Sequence, residues 1–180
     1  EKPLPDIVAK LRSSDYKEVA SAIEQFSPLD LSDRSLRRAN LMGVVGGSIK
    51  LNGADLSGAT LIAAKLVGAE AISVRMEGAY LSSARLEKSY LIRADLRRAD
   101  LSSAKMINSS LMGANLAGAN LVNTSLQGAD LFRADLRGAD LYNSKLQAAN
   151  LDDTKMEGAT LWDAELQGAS FSGSNLDCVD

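Results

Sequence analysis

Few side chains in this 180-residue sequence could do covalent chemistry. Histidine is absent, which removes the commonest general base and the commonest metal ligand. The single cysteine, Cys178, can form no intramolecular disulfide. It reads as a free surface thiol or as one half of an intermolecular bridge. Carboxylates are plentiful, but they recur at fixed intervals, as in Asp95, Asp100, Asp130, Asp135 and Asp140, and no isolated pair is set aside for acid–base work. No phosphate-binding glycine loop, nucleophile elbow, dinucleotide fingerprint or metal-spaced cysteine cluster occurs. The expectation is a protein that is not an enzyme, with no cofactor and no small-molecule substrate.

Non-covalent recognition remains, and the residues suited to it recur at every twentieth position. Ile72, Ile92, Met112 and Phe132 form one apolar series. Met42, Ile62, Val122, Tyr142 and Trp162 form a second, interrupted by Ser82 and Ser102. Lys65, Arg85 and Lys105 form a cationic series, with Lys145 two steps further on. Neighbouring cations cost stability unless an anionic partner, or solvated side chains that splay apart, offset the repulsion. Apolar rows facing water tend to be contact surfaces, and Trp and Tyr are frequent interface anchors. The competing reading is that these side chains only cover the backbone beneath them.

The element that would align such series is written in a shorter period. From Leu31 to Leu176 every fifth residue is a unit centre: of 30 positions, 24 are Leu, three are Met (Met76, Met106, Met156) and one is Phe171. Only Gly46 and Ala71 break the row, and larger residues nearby (Val44 and Ile49, then Val74) are placed to refill the space. Two residues before most centres stands a small residue, usually Ala, as in Ala54-Asp55-Leu56-Ser57-Gly58. A period of five fits neither an amphipathic helix nor an alternating strand, so it signals a solenoid whose units must stack to bury a core.

This Ala-(Asp/Asn)-Leu-x-x pattern, running over about residues 29–178, resembles the pentapeptide-repeat family. The resemblance implies an all-β solenoid: a right-handed quadrilateral parallel β-helix with four units per coil and the central and alanine side chains pointing inward. Position n then stacks on n+20. Thirty units give about seven and a half coils and, at a strand spacing near 4.8 Å, a tube roughly 36 Å long. Twelve of the 14 glycines fall two residues after a centre, as a type II turn with a positive φ at its third position requires. Where Lys88, Arg93 or Arg98 takes that place, a different turn type is expected.

Residues 1–28 read differently. Pro3 and Pro5 precede Ile7, Val8 and Leu11, and Asp15 with Glu18 offers a capping box. Tyr16, Val19, Ala20, Ile23 and Phe26 then follow at helical spacing until Pro28. The expected organisation is a short α-helical N-terminal cap over 1–28 and a β-helix of about 30 repeats over 29–180. The first residue is Glu1 and no second cap is evident, which suggests a module cut from a longer protein or an end covered by another chain.

Charge is graded along the tube: residues 29–110 carry 12 basic and 8 acidic groups, residues 111–180 carry 4 and 10. The function expected is a non-enzymatic protein–protein interaction scaffold, binding a protein partner or forming a homodimer. The alternative, implied by likeness to the quinolone-resistance members of the family, is a DNA mimic that binds a type II topoisomerase. Against it stand a net charge of only −3 and a mid-tube rich in Arg85, Arg93, Arg97, Arg98 and Lys105. Acidic neighbours likewise argue against direct nucleic-acid binding by the Lys65–Arg85–Lys105 ridge. No apolar run reaches the ~20 residues of a membrane span, and no secretory signal is present. Cytoplasm is the default location, with a thylakoid lumen or periplasmic setting open.

Overall fold

The computed structural model describes residues 9–11, 13, 15, 17–19, 21, 29–45 and 49–180. Single-residue parallel bridges join positions 20 apart, from Asp30↔Lys50 onward at every fifth residue to Lys155↔Asn175. One coil therefore takes 20 residues, or four five-residue units. Each unit makes the same bonds: Leu51 N–H donates to the Glu70 carbonyl (2.6 Å), Gly53 N–H to the Ile72 carbonyl (2.9 Å), and Glu70 N–H to the Ile49 carbonyl (3.0 Å). The repeat thus satisfies its backbone between coils, while a short bond from Ala54 N–H to the Leu51 carbonyl (3.0 Å) closes each corner.

We number four faces by their centres. The first carries Leu31, Leu51 and every twentieth residue after; the second starts at Leu36, the third at Leu41, and the fourth is described from Leu66. The centres and the alanines two places before them are fully buried through most of the tube, for example Leu96, Leu101, Ala99 and Ala104. Removing a buried leucine side chain costs about 2–5 kcal/mol in such a core. Val44, Ile49, Ala71 and Val74 are all buried, and Val74 beside Ala71 keeps the bore filled there. Gly46 lies outside the described residues, so whether Val44 and Ile49 refill its place or the chain bulges over residues 45–48 falls there too. In the coil 161–180 the centres are only partly covered, and Leu176 is 45% exposed.

Several alanine sites hold hydroxyl residues instead. Buried Ser89 and Ser109 donate to the carbonyls of Leu86 and Met106, and Thr124 to that of Leu101 (2.7–2.9 Å). Each hydroxyl finds a main-chain acceptor, so these substitutions keep the bore intact. Ser144 is equally buried, yet its hydroxyl has no partner among the described residues.

The expected change of turn type is overturned. Every described unit has a positive φ two residues after its centre: 12 glycines at 61–75° and 17 other residues at 53–59°, Lys88, Arg93 and Arg98 among them. The preceding residue is never positive, so all corners follow the type II pattern. The coil-to-coil bonds on either side of each corner fix the backbone, and tertiary context overrides the local preference of Lys and Arg.

In the N-terminal segment residues 9–10, 17–19 and 21 are helical, and Leu11 and Val19 are buried in the core cluster. Asn40 N–H donates to the Leu11 carbonyl (2.9 Å), tying this segment to the first coil. Asp15 caps its helix by accepting from Lys17 N–H (2.9 Å). The return half of the capping box is altered: Asp15 N–H donates to the Ser13 hydroxyl oxygen (3.2 Å), and Glu18 instead accepts from that hydroxyl (2.9 Å). Ser13 is near enough to serve the amide directly and hands Glu18 a substitute partner. Tyr16, Ala20, Ile23 and Phe26 lie outside the described residues.

Candidate interaction faces

Outward side chains one position before and one after each centre form columns along the tube. The second face carries five of the eight ion pairs among the described residues, while its Lys155, Glu157 and Asp177 form none. Asp55, almost fully buried, is held by Arg37 and Arg75 (3.3 Å each), and Arg97 bridges Asp95 (2.6 Å) and Glu77 (3.1 Å). Arg137 pairs with Asp135 (2.5 Å). The Arg97 guanidinium holds the Asp95 carboxyl below its ordinary value, and Arg137 does the same for Asp135; hydrogen bonding outweighs the opposing effect of burial. For Asp55 burial is the largest single influence and pushes upward, but the Ser57 hydroxyl and amide with Arg37 reverse it, so its pKa is also lowered. Arg75 stands one coil from Asp95 in the same column. The structure pairs it with Arg97, two residues on, because both neighbours of a centre project from one face of the strand.

The fourth face carries the cationic series. Bridges join Lys65 to Arg85 and Arg85 to Lys105, so the three cations are adjacent rungs. Arg85 is partly neutralised by Glu87 (3.0 Å), a partner the column reading missed. Lys65 and Lys105 make no ion pair among the described residues.

The first face carries the apolar series Ile72, Ile92, Met112 and Phe132. Ile72 and Met112 are exposed (41% and 37%), and Ile92 and Phe132 are half-buried. Together Ile92, Met112 and Phe132 floor a shallow groove of about 200 Å³ whose rim is Arg93, Gly113 and Arg133. Arg133 stacks on Phe132, its guanidinium carbon 4.7 Å from the ring centre, and also reaches Asp153 (3.4 Å). Arg93 has no ion pair among the described residues. Polar residues end the row on both sides: Asn52 accepts from Ile72 N–H (2.8 Å), and Asp152 accepts from Ser172 N–H (2.8 Å) and from the Ser170 hydroxyl. The arginine rim was invisible in a list of apolar positions, although both residues directly follow a groove residue.

The third face carries the broken second series. Trp162 is 66% exposed and Tyr142 is 42% exposed, with Met42 at the far end; Ile62 and Val122 are half-buried. Ser82 and Ser102 separate the two ends. Cys178 is free and exposed at a corner. Among the described residues no cluster of three or more Cys, Asp or Glu could hold a metal ion, and no helix is long and apolar enough to cross a membrane.

These features define a class: a β-solenoid of five-residue units whose distinguishing chemistry lies in outward columns. Pentapeptide repeats match over residues 48–78, 75–111, 109–147 and 144–180, and the chain belongs to the pentapeptide-repeat family. Its fold is accordingly a right-handed β-helix of pentapeptide repeats. The chain is 34% identical to HetL, a pentapeptide repeat protein involved in heterocyst differentiation regulation from the cyanobacterium Nostoc sp. strain PCC 7120. That match covers 84% of this chain and 73% of HetL, with a TM-score of 0.52. A pentapeptide repeat protein of the Arabidopsis thaliana thylakoid lumen is 35% identical over 51% of this chain and 60% of its own, with a TM-score of 0.40. QnrB1, a plasmid-mediated fluoroquinolone resistance protein, is 24% identical over 84% of this chain and 71% of its own, with a TM-score of 0.45, a likeness in fold alone. No curated protein matches the chain significantly.

Proposed function

We propose that this chain is a non-enzymatic protein-interaction scaffold: a four-sided tube, capped by residues 1–28, that docks a partner protein on its first face. The observation that carries the reading is the groove of Ile92, Met112 and Phe132, bounded in length by Asn52 and Asp152 and rimmed by Arg93 and Arg133. A rigid surface of this kind loses little conformational freedom on binding. Four rungs span roughly 14 Å at the usual strand spacing, which suits a narrow partner element such as an amphipathic helix. A stable interface takes about 800 Å² from each side, so a second copy or a different protein would alike reach beyond this row; we take a different protein as the occupant, and a second copy is an outcome of the test.

DNA mimicry against a type II topoisomerase has less behind it. Asp55, Glu77, Asp95 and Asp135 of the second face are tied to Arg37, Arg75, Arg97 and Arg137, and the fourth face presents adjacent cations. HetL's role in differentiation regulation fits a binding function without specifying one here.

The test is a photo-crosslinking amino acid placed at Met112, with the same group at Ala117 on the charge-paired second face as control. Light scattering on the chain and on an Ile92→Glu, Phe132→Glu variant accompanies it. Position 112 should capture a partner that the double variant loses, with the chain monomeric throughout. Equal capture at 112 and 117, or none at either, overturns the assignment of the first face; a dimer that the variant dissolves replaces the foreign partner with a second copy.

A further inference from the structure

The third face differs from the first in what borders its aromatic end: carboxylates stand there and no arginine does. Tyr142 and Trp162 occupy successive rungs of one column, and Asn143 N–H donates to the Trp162 carbonyl (2.8 Å), which locks the two rungs together. Trp162 is the most exposed large hydrophobic residue described, at 66%, so its indole lies open to a ligand. Where the first-face groove is rimmed by arginines, this pair is flanked by carboxylates. Asp140 stands one coil above Thr160, bridged to it, and Thr160 and Trp162 project from the same strand face. One Asp140 oxygen accepts from Tyr142 N–H (3.0 Å), leaving the other for a ligand. Asp163, exposed at the adjoining corner, makes no hydrogen bond or ion pair among the described residues. Lys145, round the corner on the fourth face, is bridged to Glu165. The units that carry Tyr142 and Trp162 on this face hold Asp140 and Asp163 and no Lys or Arg, so the local charge is negative.

We infer that Tyr142, Trp162, Asp140 and Asp163 form a docking platform for a cationic segment, rich in Arg or Lys, of another protein. The electron-rich faces of Trp and Tyr attract a guanidinium or ammonium, Trp most strongly, and carboxylates at the platform's edge supply the charge-assisted hydrogen bonds that a bare aromatic surface lacks. The two rungs lie roughly 5 Å apart along the tube, which fits one or two residues of an extended segment. Rod-to-rod packing of a second copy would need about 800 Å² per partner, far more than the platform offers.

Trp162 is the only tryptophan in the chain and therefore reports on its own site. The full chain is titrated with an alternating Arg-Gly decapeptide, and separately with the same peptide carrying Glu for Arg, while Trp162 emission is followed. The Arg peptide should change the emission saturably, with added salt weakening the response and the Glu peptide without effect. The Asp140→Asn, Asp163→Asn variant, with an unchanged circular dichroism spectrum, should bind about tenfold more weakly, a loss near 1.4 kcal/mol. Emission that ignores the Arg peptide, or answers both peptides alike, overturns the proposal, as does a double variant that binds as the parent does. Emission that changes with protein concentration alone overturns it too, by making a second copy the source of the cation. None of these outcomes touches the first-face assignment, which is read at position 112.

Discussion

The corner residue two places after each centre shows how far this fold constrains a single amino acid. Gly78 has φ +61° with open space where a Cβ would sit, so alanine there meets no clash and pays only for the left-handed backbone. Lys88 occupies the same conformation (φ 58°) and already bears that strain. We expect Gly78→Ala to lower stability by about 1 kcal/mol and Lys88→Gly to raise it by a smaller amount, since glycine's extra unfolded-state freedom opposes the relief. Urea midpoints of the two variants check this, and equal signs would refute a shared corner geometry.

At the scale of a face, the columns decide which charges matter. Asp55, Asp95 and Asp135 all have folded-state pKa values below the ordinary 3.8. The unfolded chain then binds protons more readily than the folded one in acid. Their stabilisation is fully present above the unfolded value, near pH 4, and is lost as pH falls through the lower folded values. The pairs are partly solvated, so each contributes modestly, below about 1 kcal/mol. An Asp95→Asn, Asp135→Asn variant should be less stable than the parent at neutral pH, and the gap should close below pH 4. A gap that persists undiminished in acid would mean that side-chain shape at these positions, not charge, sustains the second face.

Taken whole, the molecule separates its chemistry by direction: an arginine-rimmed apolar groove, a face crossed by its own ion pairs, an aromatic face with carboxylates, and a face with a cationic row. A DNA mimic would instead need a continuous negative surface. We therefore expect gyrase supercoiling, with and without a fluoroquinolone, to be unchanged by this chain; protection of the enzyme against the drug would restore the mimic reading. Much of the architecture is legible in the amino-acid order because a period of five admits one economical solution. Leucine and alanine at fixed steps can be buried only by stacking, and the 20-residue coil that the pentapeptide-repeat resemblance implies then aligns Ile72 with Ile92 and Lys65 with Arg85. The order of residues thus determined the solenoid and its family and, through the family's four-unit coil, the membership of each column. Only the tertiary structure decided the uniform corners at Lys88, Arg93 and Arg98, the service of Ser13 at the Asp15 cap, the choice of Arg97 over Arg75 by Asp95, and the closing of a groove by Arg93 and Arg133. The physical reason is common to all four. Long polar side chains and corner dihedrals settle according to neighbours a coil or a corner away, and a repeat pattern specifies where those neighbours stand without specifying which of them is engaged.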